Sequence, residues 1–238
     1  MTPPPPSFLR ADALFHRGGA SGELRGVSLA IEPRRFTLLS GPPGSGAGAL
    51  LRILGLLDRP DAGEVWFDSQ ATGSLDDNAR LGLRNHAFGY VFGEPFLLDS
   101  FTVAENVAMP LFKISGFDVD HARARTAQVL DFTGLAFAAD CTVADLSMLD
   151  HHKLSLARAL ANAPQVLIAE DAGLQLAAQE LREFAALLRS APGVLGVAVI
   201  ATSPADPDIL GPDREIRVEQ GVVAADSHPV AVEEAPAP

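Results

Sequence analysis

This chain contains two kinds of short hydrophobic segment. Near the N-terminus apolar and polar residues alternate, whereas further along the chain the apolar residues are consecutive. Residues 8–15 and Leu24–Ile31 alternate between apolar and polar side chains, and Pro33 ends the second run, so we expect an antiparallel pair of strands. Phe36–Ser40 is almost continuously apolar, which is typical of a central parallel strand covered on both sides. The pattern therefore predicts an α/β fold.

Beyond residue 40, predicted helices and strands alternate. Residues 64–68, 75–85 and 88–91 have the order strand, helix, strand, which predicts a crossover within one parallel sheet. Residues 93–164 are mainly helices and loops, with Thr102 and Glu105 at capping-box spacing, and we expect an inserted helical lobe there. The other predicted elements are a helix over 46–57, a helix from Asp118 or Asp120 to Thr133, a helix over 150–162, a strand over 166–171, a helix over 178–190, a strand over 197–202 and a closing hairpin over 215–224.

The two ends of the chain differ from the rest in composition. Residues 1–7 contain four consecutive prolines, and residues 225–238 are rich in Pro, Ala and Glu. We expect both segments to be disordered, because neither composition supports a packed element. Residues 8–224 are predicted to form a single domain, with the helical lobe inserted at about 93–164.

Composition and charge narrow the possible partners. The formal net charge is −12, which argues against a nucleic-acid-binding surface. The apolar runs are far shorter than the ~20 residues of a membrane span, and the N-terminus has no signal-peptide pattern. We therefore expect a cytoplasmic globular protein that reaches a membrane through a partner.

A glycine-rich turn, SGPPGSGAGAL over residues 40–50, lies between a predicted strand and a predicted helix. Gly41 and Gly46 have the spacing of the phosphate-binding motif GxxxxGK[ST], in which backbone N–H groups and a helix N-terminus surround an anion. That motif requires a lysine and a hydroxyl at the next two positions, and this chain has Ala47 and Gly48. The sequence predicts a phosphate-type loop without its cation.

Two adjacent carboxylates, Glu170 and Asp171, follow the apolar run Val166–Ala169. Phosphoryl-transfer folds place a metal-holding carboxylate and a base at such a strand end, beside the phosphate loop. The pair is thus a weak candidate for Mg²⁺. His151 and His152 are neighbours on a predicted helix and point about 100° apart, so we expect a solvated face there and no metal pair.

Five longer stretches carry a further signal: GVSLAI (26–31), ILGLLDRPDAGEVWFD (53–68), LRNHAFGYVF (83–92), FTVAENVAMPL (101–111) and LARALANAPQVLIAED (156–171). These stretches resemble the ATP-binding subunits of ABC transporters, specifically the lipoprotein-releasing and macrolide-export type. The resemblance implies a RecA-like P-loop core with an antiparallel β edge, an inserted helical subdomain, and head-to-tail dimers that enclose two ATP molecules, with Mg²⁺ as the metal.

The resemblance also implies where ATP would lie. The family's nucleotide-contacting positions correspond here to Phe15, Gly41, Gly44, Ser45, Gly46, Ala47, Gly48, Ala49 and Ser147. Phe15 is the aromatic that would stack on adenine. Ser147 belongs to LSMLD, which stands where the family has LSGGQ.

Most of the family's functional positions carry other residues in this chain. The lysine, serine and threonine of the loop are replaced by Ala47, Gly48 and Ala49. The remaining replacements are Gly93 for the metal-sensing glutamine, Glu170 then Asp171 for an Asp–Glu pair, Ala177 for an aspartate and Ser203 for the switch histidine. These replacements predict that ATP and Mg²⁺ bind weakly or not at all.

Three functions remain open from the sequence. The first is a pseudo-ATPase that acts as scaffold or regulator on the inner face of the cell membrane, bound to a multi-span subunit through the apolar region Phe92 to Phe101. The second is an active ATPase subunit that drives export or lipoprotein release, and the third is a P-loop kinase. A homodimer and a dimer with an intact subunit are both compatible with the resemblance.

Overall fold

The structure is a computed structural model that describes residues 8–19, 22–114 and 118–228. Segment 1–7 and the residues after 228, which the sequence predicts to be disordered, lie outside this range. The strands are β1 (Leu9–His16), β2 (Leu24–Ile31), β3 (Phe36–Ser40), β4 (Ala62–Phe67), β5 (Gln70–Ala71), β6 (Phe88–Val91), β7 (Val166–Ala169), β8 (Ala198–Ala201), β9 (Arg214–Glu219) and β10 (Val222–Asp226). The helices are α1 (Ala47–Leu54), α2 (Asp77–Ala87), α3 (Val103–Ile114), α4 (Val119–Thr133), α5 (Met148–Leu160), α6 (Ala178–Leu195) and α7 (Pro207–Leu210).

The described strands form two sheets. The larger has the order β10-β9-β3-β8-β7-β6, with parallel pairing from β9 through β6 and antiparallel pairing of β10 to β9. The smaller has the order β2-β1-β4-β5 and is antiparallel throughout. The predicted antiparallel strands thus form a sheet of their own.

The parallel sheet separates two hydrophobic cores. On β3, Leu38 packs into a core with α5 and α6, whereas Leu39 packs into the core shared with α1 and the antiparallel sheet. Successive side chains of a strand point to opposite faces, so β3, β7 and β8 must be apolar on both faces. This explains why their sequences show no alternation.

The predicted crossover between strands 64–68 and 88–91 is wrong in one respect. Strand β4 pairs with β1 and β5, while β6 pairs with β7 in the other sheet. Strand β4 is exposed at its start and alternates towards its end, whereas β6 is largely buried. Helix α2 therefore connects two different sheets.

The helical lobe follows the predicted signals closely. Thr102 and Glu105 form a reciprocal capping box at the start of α3, with N···O distances of 3.1 and 2.8 Å. Asp118 caps α4 by accepting a hydrogen bond from the N–H of His121 at 2.9 Å. No helix in the described ranges is long and apolar enough to span a bilayer.

The C-terminal tail begins later than the predicted residue 225, because the last strand extends past it. The hairpin turns at Gln220 as predicted, but β10 continues to Asp226, and the N–H of Ser227 donates to the carbonyl oxygen of Glu215 at 3.0 Å. Asp226 receives two hydrogen bonds from Arg214, at 2.9 and 2.6 Å. This ion pair, in which Arg214 is buried and Asp226 is partly buried, holds residues that composition alone assigns to the tail.

Candidate functional site

Parallel strands bring their carboxyl ends to one edge of the larger sheet, and the candidate site lies there. Leu38 on β3 is in register with Ala201 on β8, and Ala169 on β7 is in register with the same Ala201 from the other side. The segments that follow β3, β7 and β8 therefore meet around a cleft of about 880 Å³. The candidates that line it are Gly41, Gly44, Ser45, Ala47, Gly48, Glu170, Asp171 and Ser203.

The glycine-rich turn adopts a tight conformation that leads directly into α1. Gly46 precedes the helix with φ of 103°, and a Cβ there would collide with the carbonyl oxygen of Glu23, so glycine is required. The N–H of Ser45 donates to the carbonyl oxygen of Pro42 at 2.9 Å, and the Ser45 carbonyl accepts from Gly221 at 2.9 Å. The turn is thus held in place by its own backbone and by the β9–β10 hairpin.

Charge in the cleft is mainly negative. Among the described residues that line it, Glu170, Asp171 and Glu215 are acidic and Arg217 is basic. Arg217 forms an ion pair with Glu219 at 2.6 Å, and Glu215 accepts a hydrogen bond from Ser40 Oγ at 2.5 Å. The start of α1, where the phosphate motif needs a lysine, presents the methyl group of Ala47.

Glu170 makes an ion pair that the sequence analysis did not predict. Arg52, in the last turn of α1, lies with Nη1 3.0 Å from Glu170 Oε2 and with Nε 2.7 Å from Asp58 Oδ2. Burial raises the pKa of Glu170 above its ordinary value, and the attraction of Arg52 opposes that rise. The available signal was a lone arginine in the apolar run ALLRILGLL, since a charge in such a run usually needs a partner.

Asp171 and Gly93 lie next to each other. Asp171 is exposed, with φ of 50°, and its N–H donates to Thr202 Oγ1 at 3.0 Å. A Cβ built on Gly93 would come within 3.0 Å of Asp171 Cβ and 3.1 Å of Leu174 Cβ. A side chain at this position, where the resemblance implies a glutamine, would therefore be in tight contact with Asp171 and Leu174 and would require them to shift.

We expect Gly93→Ala to destabilise the fold by about 1–3 kcal/mol, because overpacking a tight contact forces neighbours to move. Gly82→Ala is the matched control, since a Cβ at this helical glycine meets nothing within 4 Å and should raise stability by about 1 kcal/mol. Urea unfolding followed by circular dichroism measures both. Equal stability of Gly93→Ala and wild type would contradict the tight packing.

Ser203 and Ala177 both take part in hydrogen bonds with nearby parts of the chain. Ser203 Oγ donates to the carbonyl oxygen of Ala172 at 3.0 Å and accepts from the N–H of Ala205 at 3.2 Å. Ala177 precedes α6, and its N–H donates to the carboxylate of Glu180 at 2.9 Å. Ser203 thus fixes the loop that lines the cleft, Ala177 belongs to the start of α6, and neither position has the charged or imidazole side chain that the resemblance implies.

Ser147 and Phe15 are not among the residues that line the cleft. Ser147 caps α5: its Oγ accepts from the N–H of Asp150 at 3.1 Å and donates to Asp150 Oδ2 at 2.7 Å. Phe15 is 49% exposed, and its ring lies against Gly26. Of the nine predicted nucleotide contacts, five line the cleft, and four lie outside its lining, namely Phe15, Gly46, Ala49 and Ser147.

The expectation that His151 and His152 share a solvated face is wrong for His152. Its side chain is fully buried and packs against the Phe184 ring with a centroid separation of 5.5 Å. Burial lowers its pKa, while the backbone of Leu174 and the charge of Glu180 act in the opposite direction. His151 contacts the carbonyl oxygen of Val143 through Nε2 at 2.9 Å. The two rings therefore serve packing of α5.

The segment from Phe92 to Phe101 has a backbone bound by Arg158 and two aromatic side chains exposed to solvent. Arg158 donates to the carbonyl oxygens of Pro95 and Phe96, both at 2.8 Å, and burial lowers the pKa of Arg158. The side chain of Phe96 is 63% exposed and that of Phe101 is 40% exposed. A backbone held by two hydrogen bonds from Arg158 thus presents two aromatic rings to solvent.

Comparisons with known proteins agree over most of the chain. Residues 24–172 match the family described as ABC transporter. The lipoprotein-releasing system ATP-binding protein LolD of Saccharophagus degradans is 36% identical over 180 residues, which cover 76% of this chain and 78% of that protein. LolD 1 of Rhodopseudomonas palustris is 32% identical over 201 residues, which cover 84% and 89%.

Solved structures show the same fold. The dimeric structure of MJ0796, a bacterial ABC transporter cassette, has a TM-score of 0.80 and 27% identity, and the match covers 92% of this chain and 97% of that one. A post-hydrolysis dimer of the same cassette, bound to ADP and Pi, matches with a TM-score of 0.79. These matches confirm the predicted ABC ATPase fold.

Proposed function

Because this chain belongs to the ABC transporter family, we propose that it is a transporter-type ATP-binding subunit that does not hydrolyse ATP and acts as scaffold or regulator on a membrane partner. One observation carries the proposal. The cleft beside the glycine loop has three carboxylates, Glu170, Asp171 and Glu215. Glu170 is paired with Arg52, whereas the other two have no ion pair among the described residues, and the arginine of the cleft is paired with Glu219. Such a charge distribution opposes a triphosphate.

The energies of the missing interactions support weak binding of Mg·ATP. A lysine in the loop would give the triphosphate charge-assisted hydrogen bonds of about 1.5–3 kcal/mol each. Its absence alone accounts for a loss of roughly tenfold or more in affinity, since about 1.4 kcal/mol corresponds to a factor of ten. The carboxylates of the cleft add repulsion to that loss.

The contacts of the other candidate residues support loss of hydrolysis. The resemblance implies a glutamine at Gly93 and a histidine at Ser203, but Gly93 is closely packed and the Ser203 hydroxyl is engaged with the loop backbone. Asp171 is one methylene shorter than the glutamate expected there. A misplacement of about 1 Å at a reacting centre lowers rates by roughly 10²-fold.

The signature segment supports the same conclusion for a dimer. In the head-to-tail arrangement that the resemblance implies, Ser147 would face the partner's ATP. Here its hydroxyl donates to Asp150, and Asp150 places a negative charge in the first turn of α5. A like charge near a phosphate group opposes binding. A homodimer would carry this defect at both sites.

The membrane partner would bind the segment from Phe92 to Phe101. Exposed aromatic rings on a backbone fixed by Arg158 suit a protein interface, since aromatic residues are enriched at interface cores. The relatives named LolD are ATP-binding proteins of a lipoprotein-releasing system, and we place this chain likewise at the inner face of the membrane through a multi-span subunit. A dimer with an intact subunit and a homodimer both fit this placement.

The active ATPase remains the second candidate, because the strand ends and the loop retain the arrangement of the family. The family match removes the support for a P-loop kinase. Calorimetry with Mg·ATP and an assay of phosphate release separate the two remaining functions. We expect a dissociation constant weaker than micromolar, and phosphate release equal to that of Asp171→Asn. Micromolar binding together with release that Asp171→Asn abolishes would establish the active enzyme.

A further inference from the structure

Arg52 joins two carboxylates, those of Asp58 and of Glu170, and Glu170 lines the cleft. Its Nη1 lies 3.0 and 3.4 Å from the two carboxylate oxygens of Glu170, and its Nε and Nη2 lie 2.7 and 3.3 Å from those of Asp58. The guanidinium therefore binds one carboxylate through Nη1 and the other through Nε and Nη2. An arginine can do this better than a lysine, whose single ammonium group has no such planar set of donors. Glu170 is the more buried of the two acids.

The backbone fixes the position from which Glu170 reaches Arg52. Its N–H donates to the carbonyl oxygen of Val91 at 2.9 Å, directly after β7. The carboxylate is oriented by Arg52, while the neighbouring Asp171 stays exposed to solvent. The two adjacent acids thus differ in environment, and the inner one already has a cation.

We infer that Arg52 is a specificity-determining residue that keeps divalent cations off the Glu170 carboxylate, because its guanidinium occupies the space between Glu170 and Asp58. A divalent ion at Glu170 would lie a few ångströms from the guanidinium charge, and repulsion at that distance is large in a partly buried site. Oxygen donors suit Mg²⁺ and Mn²⁺, so removal of Arg52 leaves a carboxylate pair that attracts such an ion. The inference deepens the proposed function and rests on it.

Mn²⁺ titration of the full-length protein without nucleotide tests this inference, with free Mn²⁺ measured by electron paramagnetic resonance. Arg52→Met keeps the apolar stem of the side chain and removes its charge. We expect this variant to bind Mn²⁺ at least tenfold more tightly than wild type, and the double variant with Glu170→Gln to lose the gain. Arg59→Met is the matched control, because Arg59 pairs with the exposed Asp77, and it should behave as wild type.

A second variant covers the case in which Arg52→Met does not fold. Glu170→Asp withdraws the carboxylate from the guanidinium by one methylene and should also tighten Mn²⁺ binding. Equal Mn²⁺ affinity of wild type and the folded variant overturns the inference. Because no nucleotide is present, this failure is distinguishable from failure of the proposed function, which phosphate release from Mg·ATP by the wild type would show.

Discussion

Ala47→Lys is expected to leave phosphate release at the background rate of the wild type. Restoring the lysine returns one group of a set that acts as a unit, and the effects of such groups are strongly non-additive. Gly48 still offers no hydroxyl, Glu170 stays paired with Arg52, and Ser203 stays bound to the loop backbone. The lysine variant should therefore gain affinity for ATP without gaining turnover, which separates binding from chemistry.

The same assay applies to a mixture with an intact family member. The protein should leave phosphate release per intact subunit unchanged or lower it, because each mixed site pairs one intact half with one altered half. Asp150→Gln is the informative companion variant, since it removes the negative charge beside Ser147. Turnover of Ala47→Lys within tenfold of the intact member would mean that the lysine was the sole defect, and the roles assigned to Gly48, Glu170 and Ser203 in the loss of hydrolysis would be wrong.

Asp226→Asn is expected to destabilise the protein by about 3–5 kcal/mol, because it leaves the buried guanidinium of Arg214 without its counter-charge. Arg214 is 1% exposed, and its Nη1 also donates to the carbonyl oxygen of Ala30 at 2.6 Å. The arginine therefore ties β9 and β10 to β2 of the other sheet. A loss of this size should lower the melting temperature by roughly 10 °C for a domain of this length.

The pH dependence of this effect has a defined sign. Burial alone would raise the pKa of Asp226, but the hydrogen bonds from Arg214 and from the N–H of His228, together with the charges of both residues, outweigh burial, and the pKa lies below its ordinary value. The contribution is therefore complete above pH ~4 and is lost as the pH falls through the folded-state pKa. The difference in unfolding free energy between wild type and Asp226→Asn should shrink in acid.

Glu219→Gln is the control for this prediction, since it breaks an exposed ion pair on the same hairpin, between Glu219 and Arg217. It should change stability by less than about 1 kcal/mol. Chemical unfolding at pH 7 and near pH 3.5 measures all three proteins. Equal losses for the two variants at pH 7 would contradict the role assigned to burial of Arg214.

Local signals in the sequence were sufficient for most of the elements. The capping residues Thr102 and Asp118 begin α3 and α4 as predicted, and the continuous apolar runs became the buried parallel strands. The acids after Val166–Ala169 and the glycine-rich turn lie at one cleft as predicted, because carboxyl ends of parallel strands share an edge. Each of these features depends on contacts within a few residues or on strand direction alone.

Tertiary structure decided the features that depend on residues distant in sequence. Strand β4 pairs with β1 and not with β6 because the backbone edge of β1 is the one that lies beside it in the folded chain. Local strand propensity carries no information about which edge a strand will pair with. Likewise, Asp226 belongs to the fold because Arg214 is buried beside it, and His152 is buried because Phe184 covers it.

The sequence by itself determined that this chain is an α/β member of its family with a glycine loop lacking a lysine. Only the tertiary structure decided where the remaining charges act. Glu170 and Arg52 are 118 residues apart, so their ion pair depends on how α1 packs against β7. Composition and spacing reveal which charged groups a site contains, whereas the partner of each charge follows from packing, and that partner determines what the site can bind.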